Sequence, residues 1–465
     1  MFLLLILLLV ALTKSSSTWG QLGQDIDGEA LNDRTGRSVS LSSDGNTVAI
    51  GAFYNDGNGT SAGHTRVYRF GGTTWSQLGQ DIDGEASGDQ SGTSVSLSTD
   101  GMTVAIGAPF NDGYGDRSGH ARVYRFGGAV WSQLGQDIDG EAEGDRSGYS
   151  VTLSSDGGTV VIGATYNDGN GNIAGHVRVY RFDGATWSQL GQDIDGATEG
   201  DQSGYSVSLS SNGETVAIGA PYNDGYGANS GHVRVYRFGG TTWSQLGQDI
   251  DGEVEGDEFG WSVSLSSNGN TVAIGAPYND GNGNSAGHTR VYRFGGTSWA
   301  QLGQDIDGEA EGDLNGRSVS LSSNGETVAI GAIYNGGNGN SAGHTRVYRF
   351  GETSWAQLGE DIDGEAEGDI SGRSVSLSSN GMTVAIGAVG NDELKGHVRV
   401  YRFQSPTGAP VGTPVGTPTG APTGAPTVNL KGETDSDNAT VWIVVGAVIT
   451  PTFLVMIVYY FLKIR

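Results

Sequence analysis

The sequence predicts an all-β fold: a seven-bladed β-propeller of four-stranded antiparallel blades, followed by a disordered stalk and a single transmembrane helix. Three observations predict it. A 56-residue unit recurs without insertion or deletion, its Gln-Leu-Gly-(Gln/Glu)-Asp-Ile-Asp-Gly phrase starting at Gln21, Gln77, Gln133, Gln189, Gln245, Gln301 and Gln357. A fixed period of this length marks a unit that buries its apolar face only by stacking on neighbours. Each unit holds four strand-like runs separated by Gly, Asn, Asp and Ser clusters, the pattern of a propeller blade. The array also starts and stops out of phase. It enters at Thr18-Trp19-Gly20-Gln21-Leu22, a fourth strand without a blade, and leaves after Arg399-Val400-Tyr401-Arg402-Phe403, a third strand without a fourth. The first segment is therefore expected to complete the last blade, closing the ring and covering an edge that would otherwise template aggregation.

The unit over residues 93–138 shows why each run is a strand. Ser94-Val95-Ser96-Leu97-Ser98 alternates strictly, which puts Val95 and Leu97 on one buried face. Asp100-Gly101 then supplies a two-residue hairpin turn, echoed by Asn-Gly at Asn212, Asn268, Asn324 and Asn380. Thr103-Val104-Ala105-Ile106-Gly107-Ala108 sets Val104 and Ile106 on one side and small residues on the other, where an adjoining sheet can approach. His120 to Phe126 is the third strand, and Val130 to Gly135, after Gly127-Gly128, is the fourth. The tryptophans at Trp19, Trp75, Trp131, Trp187, Trp243, Trp299 and Trp355 share one strand position, suited to filling the space between blades.

The domain boundaries follow from composition. Phe2 to Leu12 is a short apolar run before a Ser cluster, so residues 1–17 are expected to be a signal peptide. The propeller spans 18–403. Residues 404–440 form the stalk, holding six of the ten prolines in Pro-Thr-Gly-Ala-Pro-type steps that cannot pack a core. Residues 441–462 are apolar apart from Thr450-Pro451-Thr452 and long enough to cross a bilayer. Lys463 and Arg465 follow this span while Asp435 and Asp437 precede it, which places 463–465 in the cytosol and the repeats outside. The expected location is the plasma membrane, single-pass type I, with a GPI-anchor signal as the alternative. Asn58 and Asn438 open the two N-glycosylation sequons.

Composition excludes some roles. With 52 acidic against 25 basic side chains the net charge is −27, which opposes nucleic-acid binding and favours cations or basic surfaces. Zero cysteines leave no disulfide or thiolate site, so stability must come from packing and ring closure.

Phe259-Gly260-Trp261-Ser262-Val263-Ser264, followed by Ala273-Ile274-Gly275-Ala276-Pro277, is the most diagnostic stretch, and Gly-Ala-Pro returns at Gly107-Ala108-Pro109 and Gly219-Ala220-Pro221. Residues 18–403 thereby resemble the FG-GAP repeats of the integrin α-subunit propeller. One blade keeps Phe-Gly, while others have Ser91-Gly92 or Asn315-Gly316 in its place. The family's calcium loop lies between the first and second strands, where this chain has tight turns such as Ser155-Asp156-Gly157, so none of those ligands carries over.

A different acidic motif lies in the long connections. Asp81, Asp83, Glu85 and Asp89 make one set, Asp137, Asp139, Glu141 and Asp145 a second, Asp249, Asp251, Glu253 and Asp257 a third, and Asp305, Asp307, Glu309 and Asp313 a fourth. Each is a candidate Ca2+ site, since alternate carboxylates around a glycine can converge on a hard cation that takes six to eight oxygens. The other reading gives these side chains to turn amides and to arginines of the Arg66 and Arg69 class. A second acidic phrase, Tyr-Asn-Asp-Gly, fills the other long connection, as at Asn279-Asp280-Gly281. The seven equivalent histidines, among them His64 and His120, suit packing better than acid–base work.

Sevenfold repetition leaves few unique residues for a catalytic constellation, and Arg117, Glu258, Trp261 and Lys395 form no recognised catalytic spacing, so no enzyme is expected. The expected function is cell-surface adhesion or recognition through an acidic, multivalent, calcium-binding face whose partner is an extracellular protein, glycan or matrix ligand. Signalling would then need a second membrane protein, because 463–465 is so short. A structural coat or wall protein without a discrete ligand, and a polyvalent lectin, are the alternatives.

Overall fold

The computed structural model describes residues 18–404 and the two strands Val445–Thr450 and Phe453–Val458. Residues 18–404 form seven antiparallel sheets, one per repeat. In the second blade the strands are Ser94–Leu97, Thr103–Ala108, His120–Phe126 and Trp131–Gln133, paired in that order. The first strands of the seven blades line a central channel. Ring closure is as the phase of the repeats implies: Thr18–Gln21 pairs with His397–Gln404, Trp19 opposite Phe403 and Gln21 opposite Tyr401. The last strand runs one residue further than expected, to Gln404.

Apolar burial lies between blades. Ala49, Val67 and Ile82 of the first blade pack with Val95, Leu97, Val104, Ile106 and Trp131 of the second, and equivalent layers recur around the ring. Trp131 is 3% exposed and its indole Nε1 donates to the Leu78 carbonyl of the preceding blade at 2.6 Å. The ring thus has both its apolar body and its polar N–H satisfied across the seam. Near the channel the spacing is set by glycine. A Cβ on Gly107 would lie 1.9 Å from the Gly148 carbonyl oxygen of the next blade, so no larger residue fits there. Polar stitches complete the seam: the Leu97 amide donates to Ser40 Oγ, and Ser94 Oγ donates to the Gly148 carbonyl, each at 2.9 Å.

Two expectations change. The fourth strand is broken: after Trp131–Gln133 the chain bends over Leu134–Asp137 and resumes pairing as Ile138–Asp139 against His120 and Ala121. Each sheet therefore has a fifth short segment, and Asp-Ile-Asp is only partly loop. Ile138 is the reason, because its 3% exposure requires the chain to turn back onto the sheet. The single transmembrane helix expected over 441–462 is also not what the structure shows. Val445–Thr450 pairs antiparallel with Phe453–Val458, with Thr450 opposite Phe453. The Val- and Ile-rich sequences of the two pieces favour strand. No helix among the described residues is long and apolar enough to cross a membrane. The signal peptide at 1–17, the stalk beyond Gln404, Asn438 and the segment 463–465 lie outside the described residues.

Candidate functional site

Strand direction decides where chemistry can gather. The tight first-to-second and third-to-fourth turns fall on one face of the ring, and the long second-to-third and fourth-to-first connections fall on the other. Asp100 shows why the short turn is tight: its Oδ1 accepts from Ser98 Oγ at 2.6 Å and from the Met102 amide at 2.9 Å, while Gly101 takes φ +70°.

On the long-connection face the first, third and fourth carboxylates of each expected set have partners of their own, the second has none among the described residues, and Asp249 and Asp251 of the third set lie together beside His232. Asp81, at the bend of the fourth strand, accepts from Gln77 Nε2 at 2.6 Å, and Asp137 and Asp249 do the same with Gln133 and Gln245. Asp83, Asp139, Asp251 and Asp307 sit in the resumed strand, where burial and the preceding aspartate push their carboxyls up. Glu85 reaches the next blade and pairs with Arg122 at 3.1 Å, as Glu141 does with Arg178 and Glu309 with Arg346. Arg122 also donates to the Asp83 carbonyl at 2.9 Å, which ties two blades with one guanidinium. Asp89, Asp145, Asp257 and Asp313 are each 3% exposed. Asp89 Oδ2 accepts from the amides of Glu85 and Ala86 and from Asn111 Nδ2 at 3.0–3.1 Å, closing the loop from inside. The fourth set departs from the others at Asp305, which Arg290 holds bidentately at 2.9 and 2.7 Å while also meeting Glu253 at 2.5 Å. Burial raises the Asp305 carboxyl less than Arg290 lowers it.

What the fold does bring together is Glu85, His120 and Asp137, with one potential ligand atom from each lying within 4.8 Å of the others, and likewise Glu141, His176 and Asp193. A buried imidazole among two carboxylates is a poor match for calcium, which wants an all-oxygen shell. Arg122 already supplies the positive charge at Glu85. The histidines are deeply buried, 1% exposed at His64 and His120, and burial and the neighbouring arginine bring both rings down to about 4. They are neutral at pH 7 and fill space at the start of the third strand.

The second acidic phrase is likewise a loop device. Asp56 Oδ1 accepts from the Ser61 amide at 2.7 Å, and Asn55 Oδ1 from the Gly57 amide at 2.8 Å. Asn58 is exposed, and its Nδ2 donates to the Gly84 carbonyl at 2.8 Å; Asn170 and Asn282, outside any sequon, make the same bond to Gly196 and Gly308.

Two features of this face escaped sequence reasoning. The first is apolar exposure. Tyr114 (67%), Tyr226 (66%) and Tyr334 on second-to-third connections, with Leu31 and Val254 on fourth-to-first connections, stand exposed on it; Val130 is the one large apolar side chain similarly exposed on the opposite face among the described residues. The second is the channel mouth at the centre of the face. It is lined by the residue that precedes each inner Ser-Val pair, including Arg37, Tyr149, Tyr205, Trp261, Arg317 and Arg373. Its signal was available in the repeats: this position changes from blade to blade while its neighbours do not.

Residues 194–236 and 251–292 match the FG-GAP repeat family, so the expected resemblance is found in those two segments. They cover the fourth and fifth blades, and the other five blades share their strand order. No curated protein sequence matches the chain. Among solved structures, hydrazine synthase of Kuenenia stuttgartiensis is similar with a TM-score of 0.52 at 11% identity, over 81% of this chain and 97% of that one. At that identity the likeness is one of fold.

Proposed function

We propose that this protein is a non-enzymatic recognition or adhesion protein that engages an extracellular partner through the long-connection face of its FG-GAP propeller. The observation that carries this reading is the segregation of exposed tyrosines and aliphatics onto that face, amid carboxylates of the acidic rim. Exposed aromatics rimmed by polar groups are what protein and glycan partners bury. Repetition lets weak contacts add to useful avidity. Calcium is not required, because the carboxylates of the expected sets already hold guanidiniums and loop amides. We further place the propeller outside the cell, tethered through the apolar C-terminal segment, on the strength of the basic residues that follow it.

The test displays the full chain on non-adherent cells and scores attachment to immobilised extracellular-matrix proteins and glycans. Attachment should fall when Tyr114→Ser and Tyr226→Ser are combined and should persist with Val130→Ser on the opposite face. Attachment indifferent to the tyrosine pair, or equally sensitive to Val130→Ser, would overturn the reading. Labelling of intact cells with an impermeant amine reagent checks the placement.

A further inference from the structure

The channel mouth departs from sevenfold repetition in an ordered way. Three consecutive blades, the sixth, seventh and first, place Arg317, Arg373 and Arg37 there, and the third, fourth and fifth place Tyr149, Tyr205 and Trp261. Thr93 of the second blade separates the two arcs. The aromatic arc is continuous: ring centroids lie 5.0 Å apart for Tyr149 and Tyr205 and 4.6 Å for Tyr205 and Trp261. Tyr222 and Tyr278 brace it edge-on at 6.1 and 5.9 Å. Where the arcs meet, the Arg317 guanidinium sits 4.2 Å from the Trp261 ring centre. The space enclosed is about 260 Å³.

The arginines of this mouth form no ion pair with a carboxylate among the described residues. Every arginine–carboxylate ion pair among the described residues belongs to the rim set of Arg66, Arg122, Arg178, Arg290, Arg346 and Arg399. Arg37, Arg317 and Arg373 instead face one another, and burial together with that mutual repulsion holds Arg373 well below the usual guanidinium range. Glu258 is the acid within the field of Arg317: its Oε2 has no hydrogen-bond partner, and burial pushes its carboxyl up to about 7 against the opposing pull of that guanidinium. Folding does not demand this arrangement, since Thr93, Tyr149 and Tyr205 occupy the same position in other blades. Clustered like charges in a concave, half-buried site are unfavourable until something neutralises them, and guanidiniums are the groups best shaped to grip an oxyanion.

We propose that the channel mouth binds a small oxyanion carried on a six-membered ring, either an acidic or sulfated sugar unit or an aromatic acid, with the oxyanion among Arg37, Arg317 and Arg373 and the ring face against Tyr205 and Trp261. The rim tyrosines Tyr114 and Tyr226 do not line this space, so the site is separable from the adhesive reading.

Isothermal titration calorimetry of the purified full chain tests it with glucuronate, glucose 6-sulfate and benzoate as probes, glucose as the uncharged control and inorganic sulfate as the ringless one. Saturable binding of at least one ring-bearing acid, one per chain and weakened by salt, is expected, with glucose silent; sugar acids and benzoate tell the two ring sources apart. Arg373→Tyr and Arg317→Tyr, which install the residue already present at Tyr149 and Tyr205, should each weaken binding by about tenfold or more while raising the melting temperature. Trp261→Thr should weaken the ring-bearing acids and spare inorganic sulfate. The proposal falls if no ring-bearing acid binds, if glucose binds as well as glucuronate, if sulfate alone matches the ring-bearing acids, or if the arginine variants keep full affinity. It also falls if those variants lower the melting temperature, since the guanidiniums would then be structural.

Discussion

Acidification below neutral pH is predicted to destabilise this propeller, because its seven histidines are buried and His64, His176, His232, His288, His344 and His397 have no hydrogen-bond partner at Nε2. Burial, with a neighbouring arginine behind it, brings His64, His120, His232, His288 and His344 from 6.5 to about 4, and lowers His176 and His397 as well. A lowered histidine pKa means that the unfolded chain binds more protons, so its contribution is intact above about pH 7.5 and is lost as pH falls from 6.5 towards 4. At pH 5.5 the five together cost about 6 kcal/mol relative to neutral pH, comparable with the whole stability of many domains. Glu258, at about 7, works the other way in the same window by about 1–2 kcal/mol, since its native form takes up the proton. The raised aspartates Asp83, Asp139, Asp251, Asp307 and Asp363 also oppose the loss, since their native forms take up protons more readily than the unfolded chain. Urea titrations of the full chain at pH 7.5, 6.5 and 5.5, followed by tryptophan fluorescence, read the slope directly. Unfolding near pH 5.5 should take up about one proton per histidine, and Glu258→Gln should steepen the slope. Uptake of fewer than about two protons there would show that the imidazoles are not held neutral, and would refute the packing role assigned to them.

Two further outcomes follow from the seams and loops. Asp89→Ala strands the amides of Glu85 and Ala86 and the Asn111 side chain, at about 1–3 kcal/mol for each donor left dry; the loss of melting temperature should be the same in EDTA and in calcium, and a loss seen only with calcium present would restore the metal reading. Gly107→Ala drives a methyl into the Gly148 backbone of the next blade and should cost about 3 kcal/mol or more by denaturant titration. Gly127→Ala, where the nearest atom is 3.8 Å away, should stay within about 0.5 kcal/mol.

Architecture was legible because the same seam contacts recur between every pair of neighbouring repeats. Alternation at Val95 and Leu97, the Asp100-Gly101 turn and the fixed Trp position all describe a unit that must meet an identical unit, and the phase at Thr18 and Phe403 closes the ring. The carboxylate sets were legible as types and not as partners. Asp81, Asp83, Glu85 and Asp89 are close in sequence, but Glu85 turns outward to Arg122 of the next blade and Asp89 turns inward to loop amides. Spacing along a chain that changes from bend to strand to loop within nine residues does not fix where side chains point. The transmembrane helix was misjudged for a related reason: hydrophobic length alone does not choose between helix and strand, and Val445–Thr450 and Phe453–Val458 are paired strands.

Variation within the repeat is itself informative in a closed ring. Trp131, Ser94 and Gly107 face the adjoining blade, so their surroundings are reproduced at every seam and the same residue type, indole, hydroxyl or bare backbone, is demanded at each. The position of Arg37, Tyr149, Trp261 and Arg373 faces the channel, where its contacts across blades are to the same varying position of the neighbouring blade. It is accordingly free to differ between blades without disturbing a single seam contact. A symmetric scaffold can build an asymmetric site only from such positions, and here they produce a cationic arc and an aromatic arc across one space. The melting-temperature arm of the arginine test exploits this freedom: replacing Arg373 by tyrosine touches no seam, so any gain in stability reports the unneutralised charge and not a repaired interface.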